Sequence, residues 1–531
     1  MATPLSEKIF ITTPIYYVNA RPHLGHAYTT MIADVLKKHS VQRGARAIFL
    51  TGTDEHGEKI SQKAIEAGMP EQAFVDQVAG EFQAAWRALE LEPDIFYRTT
   101  APSHKKLVQT VLSRLKDEEL IYFAEYEGNY CVGCERFLTD QELDAEGKCP
   151  DHRTVPAKRK EGNYFFRMGQ FQERVLEYYR AQPESILPSR YMNEVLSMLS
   201  GPLGDLSISR PKSRVSWGIP LPFDDAHVTY VWFDALLNYL GGVGYDGTKE
   251  GGANFDEEMW RQSVHLIGKD ILKTHAVYWP TMLIAMGLDP FRRLQVGGFW
   301  ISEGAKMSKS LGNVVDPVGL AQVYGTEPLR YYLLAEAPYG EDANFVMQNF
   351  VNKCNADLAN GIGNLASRSL TLIKKNFDGK MPAFEDAAAP AAVSAASKAL
   401  LAEVHALPAT FAEAFDAAKY QQALRAFSET VARCDRYVND TAPWALAKAP
   451  EKRPELSVVL ATLANALSTL STVVYALTPK ASLALRAALG FAESSAAPAW
   501  SHATDLIKAG TPFGDVPRLF PRFEMPAKKE G

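Results

Sequence analysis

Two short stretches almost three hundred residues apart constrain this chain more than any other feature. Pro22-His-Leu-Gly-His26 places two histidines three apart around Gly25 just after a proline, a helix start whose amide groups and imidazoles suit an anion. Gly304-Ala-Lys-Met-Ser-Lys-Ser-Leu-Gly312 is a glycine-flanked loop in which Lys306 and Lys309, separated by Met307 and Ser308, form a pair of cations fit for a polyphosphate. Either stretch alone says little, because a K-x-S-K-S string is commonly a solvated loop and H-x-x-H is commonly core or metal. If both serve one ligand, the fold must bring distant segments to a common edge.

The segments around them supply such an edge. Lys8 to Thr13 reads as a strand, Pro14 to Pro22 as a turn, and a helix begins near His23. This is the opening of a parallel nucleotide fold, whose ligands sit at strand carboxyl ends. A second strand, Ala47 to Thr51, runs into the polar Gly52-Thr-Asp-Glu-His-Gly57, and Lys59 to Leu91 carries helical periodicity. After an interruption the pattern returns: Tyr230-Val-Trp-Phe-Asp-Ala235 enters a helix containing Tyr239, Val264 to Asp270 is a strand followed by a helix carrying His275, and Arg293 to Gly298 is a last strand aimed at the lysine loop. The expected fold is α/β, a split Rossmann-type parallel sheet with an inserted domain, followed by an all-α bundle. The expected boundaries are 1–118 and 226–300 for the two halves of the sheet domain, 119–225 for the insert, 301–355 for a linking domain with the lysine loop, and 356–531 for the bundle. Val458 to Leu477 is apolar but interrupted by threonines, serines and Asn465, which suits a buried bundle helix better than a membrane span.

Three of the five cysteines fall between Cys131 and Cys149. Cys131-Val-Gly-Cys134 and, after fourteen intervening residues, Cys149-Pro-Asp-His152 supply three thiolates and an imidazole, the donor set of a closed tetrahedral zinc site. Four protein ligands leave no open position, so such a metal would brace the insert rather than catalyse; unpaired buried thiols or a redox pair are the alternatives. The net charge of −6 provides no global basic field, so any nucleic acid must be held by local patches. Met1 to Phe10 carries Glu7 and Lys8 and lacks an apolar signal core, which makes a cytoplasmic location the expectation.

In order and spacing, Thr13-Pro-Ile-Tyr-Tyr-Val-Asn19, His23-Leu-Gly-His26, Thr51 to Gly57, the cysteine/histidine set, Tyr230 to Ala235, His265-Leu-Ile-Gly-Lys-Asp270 and Lys306-Met-Ser-Lys-Ser310 resemble the signatures of the bacterial methionyl-tRNA synthetase family, a class I aminoacyl-tRNA synthetase family, over essentially the whole chain. The resemblance implies an ATP-dependent ligase that first forms methionyl-adenylate with loss of pyrophosphate and then charges tRNA(Met). By it, His23, Gly25, His26, Lys306, Met307, Ser308 and Lys309 hold ATP, with both histidines and both lysines catalytic. Ile15, Tyr17, Asp54, Trp232, Ala235, Tyr239 and His275 form the methionine pocket, an aromatic setting suited to a thioether, with Asp54 on the ammonium. Asn364, Arg368 and Trp444 read the CAU anticodon; Trp444 is otherwise a helix-start aromatic. Magnesium with ATP, structural zinc, no membrane contact and a monomeric state complete the expectation. HLGH stands where HIGH is commoner, and Leu236 where many relatives have proline. Rival readings are a synthetase for another amino acid, a catalytically dead tRNA-binding paralogue, and a nucleotidylyltransferase.

Overall fold

A computed structural model describes residues 7–19, 21–131, 136–138, 140, 143–150, 153–302, 305–306, 315–492 and 496–525, with backbone alone at 126–127, 136–137 and 305–306. Its centre is a six-stranded, wholly parallel sheet of β1 (Lys8–Tyr17), β2 (Arg46–Asp54), β3 (Ile95–Arg98), β4 (Ile186–Leu187), β5 (Ser263–Gly268) and β6 (Arg293–Gly297), in spatial order β3-β2-β1-β5-β6-β4. Successive residues of the inner strands face opposite cores. Ile11, Phe49 and Leu266 join a core that runs through α1 (Leu24–Gln42) into the C-terminal bundle, whereas Phe10, Leu50 and Ile267 join a second core shared with the residues after 100. Burial on both faces is what such near-continuous apolar strands require. The strand order reverses between β1 and β5, so the crevice for a ligand lies at their carboxyl ends.

The sequence expectation differs from the structure in several places. β1 does not stop at Thr13 but passes through Pro14 to Tyr17, and its register with β2 shifts between Thr12 and Ile15. Proline has no N–H for the ladder and is accommodated at a bulge, which re-aims the residues beyond it. The stretch from Lys59 to Leu91 is two helices, α2 (Glu58–Glu66) and α3 (Glu71–Ala88), broken at Gly68, which has φ +66°, and Pro70. Between Leu91 and the insert two elements went unread, β3 and α4 (Pro102–Asp117).

Beyond α4 the alternation gives way to an antiparallel sheet of Ile121–Cys131, Arg136–Leu138, Ala157–Phe166 and Leu206–Ser207. One short segment of the stretch read as insert, β4, returns to pair with β6 at the edge of the main sheet. From Met347 onward helices take over, the longest being Ala391–Asp416, Tyr420–Thr441 and Arg453–Val474. The last is long and apolar enough to cross a membrane, yet its most apolar window is wholly buried inside the bundle.

The bundle is fixed to the sheet domain through α1 and the helix Thr326–Ala335. Arg330, almost fully buried, lies 3.3 Å from Asp34 of α1 and donates to the backbone carbonyls of Glu90 and Leu477. Gln42 donates to the carbonyls of Thr472 and Pro498, Arg43 pairs with Asp416 at 2.7 Å, and the Glu327 carboxylate accepts the first N–H groups of the helix Pro479–Ala488. One helix thus has its N-terminus at the crevice and its C-terminus in the bundle.

Candidate active site

His23 is the N-cap of α1. Its Nδ1 accepts the Gly25 N–H at 3.1 Å, and His26 Nδ1 accepts the His23 N–H at 3.3 Å, a reciprocal capping box made with imidazoles. The rings stack at 3.8 Å between centroids. With both Nδ1 atoms accepting, the proton of each neutral ring sits on Nε2. Burial first, and the neighbouring His23 second, hold the His26 imidazole well below its ordinary 6.5. The helix start therefore offers neutral N–H donors and a macrodipole rather than two full charges. A Cβ at Gly25 would lie 3.0 Å from His23 Cε1, so the glycine first of all lets the cap fold back.

The stem of the lysine loop meets this helix. Trp300–Ser302, which follows β6, pairs antiparallel with Ala305–Lys306, placing Ile301 opposite Lys306. The Trp300 ring packs on Tyr28, two residues along α1 from His26, at 5.6 Å. The two signatures therefore share one edge of the sheet. The Lys306 side chain, Met307, Ser308 and Lys309 lie outside the described residues.

Beside them, strand register assembles the pocket. Past the Pro14 bulge, Ile15 pairs with Gly52 and Tyr17 with Asp54. Ile15 and Tyr17 share a face at period 2 and are half-buried, while Tyr16 turns the other way, its hydroxyl 2.7 Å from the Thr30 hydroxyl and 3.2 Å from the His26 carbonyl. Trp232 and Ala235 stand on the helix Val231–Leu236 and Tyr239 on Asn238–Gly241; Ile15, Tyr17, Trp232 and Tyr239 all contribute to one apolar cluster. His275 lies in a π-helical turn, Thr274–Tyr278. Its Nδ1–H donates to the Ile271 carbonyl, which leaves Nε2 to accept the Tyr239 hydroxyl at 2.9 Å. Burial pushes this imidazole down to about 4, so it is neutral near pH 7. Burial, then the neighbouring Tyr16 and Asp54, keep the Tyr239 hydroxyl protonated. Leu236 is buried in the same cluster.

Sequence reasoning missed what supports this wall. His265 lies against Tyr239 at 4.4 Å between rings, donates to Thr12 and accepts the Trp279 indole N–H. Glu55 is buried and takes a two-pronged grip from Arg98 at 2.6 and 2.9 Å. His56 and His104 both bind Asp234. Glu55, His56, Asp234 and His265 lay inside motifs already singled out; Arg98 and His104 carried no local signal.

In the insert, Cys131 closes its strand opposite Arg136, and the thiols of Cys131 and Cys149 are buried with Leu138 and Leu143. The Cys149 N–H donates to the Thr154 carbonyl and the Arg153 N–H to the Cys149 carbonyl, closing a tight loop. Cys134 and His152 lie outside the described residues, and no cluster of three metal-ligating side chains occurs among those described. On the bundle, Asn364 opens the helix Asn364–Asn376, and Arg368 one turn later lies over the Trp444 ring at 5.1 Å. Trp444 is 41% exposed, unusual for so large an apolar ring, and Asn364 is exposed one turn before Arg368.

The model of the class I tRNA synthetases (M) matches residues 9–155 and 151–370, and that of the anticodon-binding domain of methionyl tRNA ligase matches 388–529. The chain is 42% identical over 530 residues to the methionine–tRNA ligase of Deinococcus radiodurans, covering 98% of this chain and 75% of that one. It is 39% identical to the Bacillus subtilis methionine–tRNA ligase, over 87% of this chain and 70% of that one. Among solved structures it resembles Mycobacterium tuberculosis methionyl-tRNA synthetase in complex with methionyl-adenylate, with a TM-score of 0.91 at 35% identity over 97% and 99% of the two chains, and the free form of that enzyme, with a TM-score of 0.85 at 32% identity over 98% of each. Agreement in sequence and in fold extends over 97% or more of the chain, which belongs to the methionyl class I tRNA synthetase family.

Proposed function

We propose that this chain is a methionine–tRNA ligase in which the crevice at the carboxyl ends of β1, β2 and β5 carries both chemical steps. A methionine carboxylate oxygen attacks the α-phosphorus of ATP, the bond to the β-phosphate breaks, and pyrophosphate leaves. The terminal ribose hydroxyl of tRNA then attacks the methionyl carbonyl and AMP leaves. Such chemistry asks the protein for positioning and charge stabilisation more than for covalent help. The observation that carries the reading is the register of Tyr17 with Asp54 next to the Tyr239–His275 pair, at the same sheet edge as the histidine-capped start of α1.

In this reading Asp54 takes the substrate ammonium as a charged hydrogen bond. Ile15, Tyr17, Trp232, Ala235, Tyr239 and His275 enclose the thioether. The Nε2–H groups of His23 and His26, with the N-terminus of α1, hold phosphate oxygens, and Lys306 and Lys309 close on the leaving pyrophosphate. Magnesium accompanies the triphosphate. Asn364, Arg368 and Trp444 take unstacked anticodon bases, a role for which an exposed indole backed by a guanidinium is suited. Zinc would be held by Cys131, Cys134, Cys149 and His152; the burial of two thiols in one small cluster fits that donor set, and the ion would brace the insert. A cytoplasmic monomer belongs to the same proposal. The test is pyrophosphate exchange run separately with each of the twenty amino acids. Exchange with methionine alone supports the reading; exchange with another amino acid, or with none, overturns it.

A further inference from the structure

Directly behind the methionine pocket lies a buried polar cluster to which no step above assigns a role. Asp234 is fully buried; its Oδ2 lies 2.7 Å from His56 Nδ1 and its Oδ1 2.6 Å from His104 Nε2. Burial pushes this carboxyl up, but the two imidazoles outweigh it and hold the group down to about 2. An ionised carboxylate only accepts, so both ring nitrogens facing it are N–H donors. The other nitrogen of His104 lies 3.2 Å from the hydroxyl of Tyr97, which burial and then the Asp234 charge keep protonated. That hydroxyl in turn presses on the second pocket helix, where a Cβ at Gly241 would come within 2.1 Å of it.

The placement matters because of what shares each backbone. Asp234 sits between Trp232 and Ala235; His56 is two residues beyond Asp54; Gly241 is two residues beyond Tyr239. The helix Val231–Leu236 is under two turns long, too short to hold its own angle. From these contacts we infer that His56, Asp234 and His104 are positioning residues for methionine: the carboxylate clamps the Trp232/Ala235 wall to the strand end carrying Asp54 on one side and to α4 on the other. None of the three touches substrate, and the inference rests on the functional reading above.

The geometry makes an unusual demand, because the two histidines use different nitrogens. Asparagine places its amide nitrogen near the position of imidazole Nδ1, and glutamine near that of Nε2. His56→Asn and His104→Gln therefore keep the donor to Asp234, whereas His56→Gln and His104→Asn misplace it. In methionine-dependent pyrophosphate exchange, the first pair should keep the KM for methionine within about threefold of the unaltered protein. The second pair should raise it at least about tenfold, the scale of one lost charge-assisted hydrogen bond, with the KM for ATP unchanged. A bond that served folding alone would lower the melting temperature of the crossed variants while leaving the methionine KM of the folded protein in step with that for ATP. If one crossed variant fails to fold, the pair at the other histidine reads the same outcome. Equal methionine KM in all four variants, or ATP and methionine KM rising in step, overturns the positioning claim. Absence of methionine-dependent exchange in the unaltered protein overturns instead the reading beneath it.

Discussion

The pocket beside β1 and the bundle face around Trp444 dispose of their polar groups in opposite ways. In the pocket, Tyr239, His265, His275 and Asp234 are buried; Thr12 and Trp279 fix the tautomer of His265, the Ile271 carbonyl and Tyr239 that of His275, and His56 and His104 hold Asp234, so the wall is shaped before any ligand arrives. On the bundle, Trp444 and Asn364 are exposed and Arg368 lies over the indole ring. A small, apolar amino acid must be measured by a preorganised cavity, because shape alone gives about 1–3 kcal/mol per methylene. An anticodon loop brings its own large flat bases, and a stacking platform suffices. The joint between the two regions is α1, capped by His23 at the crevice and packed into the bundle at its far end.

The difference can be broken from either side. Asp54→Ala removes the partner of the ammonium from a buried site; kcat/KM for methionine in exchange should fall by about 10²–10³, the cost of truncating one side of a buried charge pair, while tRNA affinity stays the same. Equal losses in both would mean that Asp54 serves the fold. Trp444→Ala should do the reverse: kcat/KM for tRNA charging falls by roughly 10–100-fold, the scale of one base stack, with exchange unaltered. Any loss of exchange would show that the bundle face is not separate from the pocket.

The smallest effect lies in the joint. His39 of α1 is buried against Phe411, Phe415 and Trp500, and neither ring nitrogen has a hydrogen-bond partner among the described residues. Burial first, then the Arg43 cation, lower this imidazole from 6.5 to about 3. A depressed histidine binds its proton in the unfolded chain first, so its stabilising effect is complete above pH 6.5 and is lost as pH falls from there toward about 3, a loss on the order of a few kcal/mol. His39→Phe should raise stability by about 1 kcal/mol at pH 7 and flatten the acid limb of the denaturant midpoint measured against pH. An unchanged acid limb would assign that loss to the other buried imidazoles, His26, His265 and His275, whose shifts have the same sign.

What could be read in the sequence was whatever its chemistry keeps local. His23, Gly25 and His26 make their own cap within four residues, and the apolar run Val458 to Leu477, interrupted by threonines, serines and Asn465, by itself marks a buried helix. The Pro14 bulge was hidden because proline ordinarily ends a central strand, and only neighbours on both sides carry β1 through it. β3 has four half-buried residues and β4 only two, too few to display a period. The His104–Asp234 contact joins residues 130 apart, each unremarkable where it stands, and only the folded sheet brings them together.

The most direct test of the account is whether the start of α1 and the lysine loop act on the same triphosphate. A double-mutant cycle on His26→Ala and Lys306→Ala, read in methionine-dependent pyrophosphate exchange, measures this. The account predicts that each single change lowers kcat/KM for ATP by about 10²-fold or more and that the double variant loses clearly less than the product of the two, because both groups stabilise one transition state. Losses that multiply in full, with no coupling between the two residues, would contradict it.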